Sequence, residues 1–320
     1  MTKYNTFKEI ILKDISLEMF RERMTEDCSI EVDGETLVFR WENFSEQTLE
    51  FIDKNNNQYN RTVFCIDAII SSQKGDFIYT RPVKTILIEK NNDLVLILRG
   101  NSEIQTKIKS KLLGQHTNNE NIKGLWEGVE INLPQVTFSV NFLLWLINLY
   151  VSQEIFEVEN IQCRIADITY ISDEGIYLSG IRKKGRGNRL INDPIIKATI
   201  ATIETIDAIG LKLNFGFGMV NFILHNNGEI EINDESYINL PIRFDYNSQF
   251  GLERMVFFIK EIIIENLKTL YRDFDENEDY FKNIKSQFLL NTINEFGEIL
   301  HINTSDERNG DTNIREIIIK

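Results

Sequence analysis

The sequence has few of the residues from which catalytic and metal sites are usually built. It contains three histidines, His116, His225 and His301, which lie far apart and never at the i, i+4 spacing of a helical metal pair. Neither a phosphate-binding GxxxxGK[ST] loop nor a GxSxG nucleophile motif occurs. We therefore expect no metal and no cofactor. The sequence favours a protein without catalytic activity, with a site assembled only by the fold as the alternative.

Cysteine and proline are also scarce. Cys28, Cys65 and Cys163 are isolated, odd in number and outside any CxxC motif, which predicts buried free thiols in a reducing cytoplasm. The four prolines form no proline-rich linker. The longest apolar run, residues 136–151, carries polar side chains and is shorter than the roughly 20 residues of a membrane span. We expect a cytoplasmic protein with no membrane span and no N-terminal signal segment.

Acidic and aliphatic side chains are plentiful. The 320 residues include 49 acids and 35 bases, for a net charge of −14, and 42% are hydrophobic, as in a globular chain with ample core material. This charge argues against a protein that coats DNA non-specifically. A local basic patch stays compatible with it, because recognition follows the distribution of charge and not its sum. The richness in isoleucine, asparagine and lysine suggests an AT-rich genome, and a prokaryotic antiviral defence system is our guess for the setting.

Hydrophobic patterning predicts an α+β fold of two mixed sheet-and-helix modules, with largely antiparallel hairpins and several buried or amphipathic helices. The clearest hairpin runs from Ser29 to Trp41 around an Asp33-Gly34 turn. The polar stretch 115–134 is the best boundary, so the predicted modules are residues 1–133 and 134–320.

The remaining elements follow from apolar spacing and turn residues. Expected helices cover residues 4–25, 45–58, a stretch after Gly100-Asn-Ser102, 136–152, 194–209, 249–273 and a segment ending near Gly297. Expected strands cover residues 63–70, 77–80, 83–89, 94–98, 164–171, 176–181, 211–215, 219–225 and 229–232, with an acidic loop at 273–280 and a last hairpin from 298–302 to 315–319.

One segment, the basic loop at residues 180–194, has a composition suited to ligand binding. It carries five bases and no acid before Asp193, and its glycines let the main chain approach a ligand. Arginine and lysine supply charge for phosphate groups. The loop runs into a predicted helix start at Pro194, where free N–H groups favour anions, although Asp193 would compete for them. The candidate anion-binding residues are Arg182, Lys183, Lys184, Arg186, Arg189 and, one helical turn on, Lys197.

Three functions fit these observations. The first is a non-catalytic subunit that binds nucleic acid or another polyanion through residues 182–189. The second is an interaction subunit of a multiprotein assembly, whose basic loop docks an acidic protein partner and whose helix at 136–152 or 249–273 supplies an apolar interface. The third is a metal-dependent nuclease with Asp67, Glu89 and Lys90 as candidate residues. A mobile, solvated connection is the alternative interpretation of the basic loop.

Overall fold

Fifteen strands form one continuous antiparallel sheet in the computed structural model of the chain. The structure describes residues 5–25, 28–32, 34–52, 58–90, 93–100, 102–113, 130–132, 138–158, 161–173, 183–186, 197, 200, 206–216, 218–232, 237–238, 242–243, 251–275 and 278–299. The strands are β1 (Asn5–Lys13), β2 (Cys28–Val32), β3 (Glu35–Ile52), β4 (Gln58–Lys74), β5 (Phe77–Lys90), β6 (Asp93–Arg99), β7 (Glu130–Asn132), β8 (Ile155–Val158), β9 (Ile161–Asp173), β10 (Lys183–Arg186), β11 (Ala208–Asn214), β12 (Met219–His225), β13 (Ile230–Ile232), β14 (Tyr237–Ile238) and β15 (Ile242–Arg243).

The strand order places β1 in the middle of the sheet. The order is β10-β9-β11-β12-β13-β1-β6-β5-β4-β3-β15, with β2 beside β3, β7 beside β1, β8 beside β9 and β14 beside β12. β1 pairs with β6 along Phe7–Leu12 on one side. On its other side it pairs with β13 at Asn5–Phe7 and with β7 at Ile11–Lys13. Strands from the two halves of the sequence therefore share one sheet.

The predicted fold of two α+β modules is wrong. Each module was expected to complete its own sheet, whereas the antiparallel pairing of β1 with both β6 and β13 joins the two sets of strands into a single, mostly β architecture. The proposed boundary at residue 133 falls outside the described residues and stays a prediction.

Helices cover both faces of this sheet. They are α1 (Leu17–Arg23), α2 (Ser102–Lys107, continued as a π-helix over Ile108–Leu112), α3 (Val140–Val151), α4 (Gly251–Phe257, a π-helical stretch Phe258–Ile264, then Glu265–Asp275) and α5 (Glu278–Ile299). Alternate strand residues point to opposite faces. Cys65 and its alternate neighbours pack with α3, α4 and α5, whereas Ile66 and its alternate neighbours pack with α1 and α2. Among the described residues, no helix is both long and apolar enough to span a membrane.

Elements with strong local signals form as predicted. In the hairpin of β2 and β3, Val32 lies opposite Glu35, and Gly34 takes the positive φ of 76° that such a turn requires. The apolar helix expected near 136–152 is α3, which begins after Ser139, whose side chain accepts a hydrogen bond from the Phe142 amide. Seven of its twelve residues are buried, as predicted for an internal helix.

Several predicted helices are instead strands. Where one helix or two short ones were expected over 4–25, residues 5–13 form β1 and only the short α1 is helical. β3 continues through most of the helix expected at 45–58. A register shift between Glu42 and Ser45, with Asn43 at a φ of 58°, lets β3 bend without ending. Pairing with distant strands overrides weak helical spacing in both places.

The elements around residues 194–280 also differ in part. The helix expected to end at Gly210 cannot include its last residues, because β11 begins at Ala208. Gly210 lies inside that strand, where an added Cβ would come within 2.6 Å of the Tyr170 Cβ. The acidic loop is short, since α4 runs to Asp275 and α5 begins at Glu278. The strand expected at 176–181 lies outside the described residues. So does the last hairpin, except for Glu298 and Ile299, which belong to α5 and not to a strand.

If β1 joins both halves, weakening it should destabilise them together. We expect Phe7→Ala, which truncates a fully buried side chain, to lower the free energy of unfolding by about 3–5 kcal/mol. The measurement is urea unfolding of two single-tryptophan variants, one retaining Trp41 on β3 and the other Trp145 on α3. Both should report the same shifted midpoint, and Thr6→Ala, at a half-buried position of β1, should shift it far less. Separate midpoints would contradict a single cooperative sheet.

Candidate functional sites

Half of the basic segment, residues 182–189, is described by the structure, and that half is not a loop. Its described part is strand β10, which pairs antiparallel with the end of β9, so that Lys183 lies opposite Asp173. β10 stands at one end of the strand order. The main chain therefore holds Lys183, Lys184 and Arg186 in one extended stretch, with about 3.4 Å between successive residues.

The structure says less about the other three predicted site residues. Arg182 and Arg189 lie outside the described residues. Lys197 is helical and half-buried, as expected from the predicted helix start after Pro194. Three of the six candidate residues, Lys183, Lys184 and Arg186, thus lie together on strand β10.

Part of the positive charge elsewhere in the described chain is neutralised by ion pairs. Nine lysine or arginine side chains lie within 4.0 Å of a carboxylate oxygen, and such pairs leave little net field for an anion. The pairs are Lys8–Glu229, Lys13–Asp93, Arg40–Glu42, Lys84–Asp67, Lys90–Glu261, Arg99–Glu253, Lys107–Glu103, Lys260–Glu9 and Lys268–Glu265.

A cavity of about 420 Å³ lies between α4 and the centre of the sheet. Apolar side chains such as Val95, Phe138 and Ile264 form part of its wall. Part of the π-helical stretch of α4 lines it as well, and π-helical turns occur frequently at functional sites. In size it falls within the range of small-molecule sites.

The charged groups of this cavity balance one another. All seven charged lining residues take part in ion pairs, for example Lys260 with Glu9 at 2.9 Å and Lys90 with Glu261 at 3.1 Å. Desolvation lowers the pKa of Lys90, but the carboxylates of Glu261, Glu265 and Glu9 together outweigh it and raise that pKa above the usual value. A polyanion would have to displace these carboxylates, so the cavity is not the site that the sequence predicts.

A second group of buried charges lies where α4 begins. Glu253 is 1% exposed, and its Oε1 atom accepts a hydrogen bond from the Arg99 guanidinium at 3.5 Å. Its Oε2 atom has no hydrogen-bond partner among the described residues. The adjacent Arg254 is buried and donates to Gln47. Burial raises the pKa of Glu253, because desolvation outweighs the attraction of Arg99.

Cys65 and Asp67 lie on β4 beside this group. Asp67, 1% exposed, accepts hydrogen bonds from Lys84 and Asn43, both at 2.8 Å. Burial raises the pKa of the Cys65 thiol to about 12, and burial also raises that of Cys163. Both cysteines are free and buried, as the sequence predicts for them. Thiols held protonated in this way are poor nucleophiles.

The nuclease candidates do not converge. Asp67 lies opposite Lys84, whereas Glu89 is five residues further along β5, or about 17 Å at strand spacing. Lys90 is bonded to Glu261. Across the parts of the chain that the structure describes, no group of three or more histidine, cysteine or acidic residues could hold a metal ion.

Sequence reasoning missed one exposed feature, the end of the β4–β5 hairpin, residues 71–82, which we call the hairpin arm. Residues 73–82 are all exposed. At the tip, Phe77 is 84%, Ile78 68% and Tyr79 66% exposed, the highest values among the described large apolar side chains. The signal was available in the sequence, since three consecutive apolar residues after a Gly-Asp turn cannot all face one core.

Burial of Glu253 should make the stability of the protein depend on pH. Below its ordinary pKa, a carboxyl group whose pKa is raised by folding is neutral in both the folded and the unfolded protein. As the pH rises towards and past the folded pKa, the group ionises more readily in the unfolded protein, and the free energy of unfolding falls. We therefore expect Glu253→Gln to have little effect near pH 4 and to raise the free energy of unfolding near pH 7. Urea unfolding at the two pH values measures this difference.

The control is Glu265→Gln, a change of the same chemistry at a carboxylate of the same helix that is 40% exposed. It should leave the pH dependence of the wild type unaltered. A Glu253→Gln variant that is less stable than the wild type at pH 7 would show that the ion pair with Arg99 dominates, contrary to our expectation.

Comparison with protein-family models and with curated proteins found no match. A function for the chain therefore has to be inferred from its own residues. Of the features described above, the basic segment concentrates five bases without an acid, and the hairpin arm carries exposed apolar surface.

Proposed function

We propose that the protein is a non-catalytic subunit that binds nucleic acid, or another polyanion, through the basic segment 182–189. The observation that carries this proposal is a contrast in charge. Nine lysine and arginine side chains elsewhere in the described chain are held in ion pairs with acids, whereas this segment contains five bases and no acid. In the strand register, Asp173 lies opposite Lys183.

The strand conformation of β10 supports the same proposal. The main chain of β10 is held by its pairing with β9, so its backbone loses less conformational entropy on binding than that of a free loop. Phosphate contacts of this kind fix the position of the nucleic acid on the protein without recognising its base sequence. The acidic remainder of the protein, with its net charge of −14, would repel nucleic acid from other surfaces.

The proposal extends to the setting in which the protein acts. Two buried free thiols, Cys65 and Cys163, fit a reducing compartment, and we place the protein in the cytoplasm on that basis. A prokaryotic defence-type complex remains part of the proposal on composition alone.

The test is binding of fluorescent single-stranded DNA and RNA across a range of salt concentrations. For five phosphate contacts on a single strand, the plot of log affinity against log salt should have a slope of about −3.5. Changing Arg182, Lys183, Lys184, Arg186 and Arg189 together to Ala should abolish most of the affinity and flatten the slope. Unchanged binding would rule the basic segment out.

A charge-matched control separates the local segment from net charge. A second variant should remove five bases that are paired with acids elsewhere, namely Lys8, Lys13, Lys90, Lys107 and Lys268, all changed to Ala. The five lysines are 23–46% exposed, so their removal should cost less stability than the loss of a buried charge, and circular dichroism checks that this variant folds. It acquires the same additional negative charge and should keep most of the affinity of the wild type.

The second candidate function is an interaction subunit of a larger assembly. The two helices that the sequence offered as interfaces are used internally, because α3 and the apolar face of α4 pack within the core. The exposed tip of the hairpin arm favours this function instead. Contiguous exposed apolar side chains mark contact surfaces more often than chance placement would give.

A further inference from the structure

We propose that the hairpin arm is the contact surface of a homodimer, in which the outer edge of β5 pairs antiparallel with the same edge of a second copy. This inference goes beyond polyanion binding and does not depend on it. It rests on the free edge, the exposed side chains and the charges of one stretch, Phe77 to Arg81.

The outer part of β5 has an open edge in the described structure. β5 pairs with β4 from Phe77 onward, but its pairing with β6 covers only Thr85–Lys90. Within the described residues, Phe77–Lys84 therefore has a neighbouring strand on one side only. Such an edge presents main-chain donors and acceptors to another chain, and proteins use it to add a strand from a partner.

The turn decides which main-chain groups face outward. Lys74 lies opposite Phe77 across the two-residue connection Gly75-Asp76, and Gly75 has a φ of 58°, as expected for a primed hairpin turn. In a hairpin of this kind, pairs that exchange hydrogen bonds alternate with pairs that do not, starting from the pair at the turn. The N–H and C=O groups of Ile78 and Thr80 therefore point away from β4.

Pro82 is placed as this alternation requires. It is the next residue in the series of Ile78 and Thr80, so its missing N–H belongs to the outer edge and not to the β4 ladder. The proline also limits how far a second strand can pair along this edge. The predicted contact is thus short and centred on Ile78, Tyr79 and Thr80.

The side chains of the same stretch give the contact its apolar area. Phe77 and Tyr79 share one face of the strand and Ile78 lies on the other, all of them more than half exposed. Burying these three side chains would remove on the order of 400 Å² per copy, about half of the ~800 Å² per partner in a standard interface. We therefore expect a weak dimer whose population depends on concentration.

The charges of the arm favour a second copy as the occupant. Asp76 and Arg81 lie at opposite ends of the exposed stretch. A two-fold axis makes the second strand run in the opposite direction. Asp76 of each copy is therefore brought towards Arg81 of the other, which gives two such pairs per dimer. An antiparallel edge is also self-complementary in its main-chain hydrogen bonds, because each outward donor meets an outward acceptor.

Sedimentation velocity over a wide range of protein concentration tests the proposal. The wild type should shift from monomer to dimer as concentration rises. The double variant Phe77→Ser, Tyr79→Ser should raise the dissociation constant at least about tenfold, as expected for aromatic anchors at an interface. Thr80→Pro should have a similar effect by removing one outward N–H group while leaving every apolar side chain in place.

The matched control is Leu289→Ser with Leu290→Ser on α5, where the side chains are 44% and 58% exposed. This variant loses comparable apolar surface and should dimerise like the wild type. Circular dichroism on each variant confirms that the sheet is retained. The five-alanine variant of the basic segment should also dimerise normally, which keeps this test separate from that of polyanion binding.

Three results would overturn the proposal. The first is a wild type that stays monomeric at every concentration. The second is a dimer that survives both arm variants, because its contact would then lie elsewhere. The third is a monomeric wild type whose oligonucleotide affinity falls in the arm variants, which would identify the arm as a nucleic-acid surface.

Discussion

The main-chain hydrogen bonding of β1 is the interaction on which the rest of the fold depends. This strand of nine residues meets β6 on one side and both β13 and β7 on the other. Without it, the strands of the first half and those of the second would each present an open edge to water. Its side chains serve both faces as well, since Phe7 packs with α3 and α4 while Ile10 packs with α1 and α2.

The second constraint is the placement of charge under α4. Arg99, Glu9 and Lys84 lie on strands, and Glu253 and Lys260 reach towards them from the helix. Burying such groups is costly unless each meets an opposite charge, and it gains less stability than an apolar contact of the same size. These ion pairs fix how α4 lies over the sheet. They also neutralise basic side chains that could otherwise bind an anion. The basic segment stands out because it gathers five bases within eight residues without an acid.

Local chemistry explains which elements the sequence could predict. The β2–β3 hairpin, α3 and the β11–β12–β13 meander depend on turn residues, caps and periodic spacing within a few residues of each other. β1 depends on partner strands that lie 80 or more residues away in the sequence, and the far half of β3 depends on a bulge at Asn43. Neither of these leaves a local pattern in the sequence. The composition of the basic segment could be read directly, but its pairing with β9 could not. Burial of Glu253 could not be predicted, because a single acid in an apolar helix is equally compatible with an exposed position and with a buried one.

The pairing of β1 with β13 joins residues that are separated by more than 200 positions, as in the bond from Lys8 to Glu229. At a synthesis rate of about 5–20 residues per second, β1 has to wait on the order of 10–40 s for that partner. During this interval the nascent chain carries a partly built sheet whose unpaired edge could capture the same strand of a neighbouring chain on the same message. Mutual repulsion gives such unfinished chains little protection, because residues 1–229 carry 31 acids and 25 bases, a net charge of only −6, and more than half of the excess acid lies beyond residue 229.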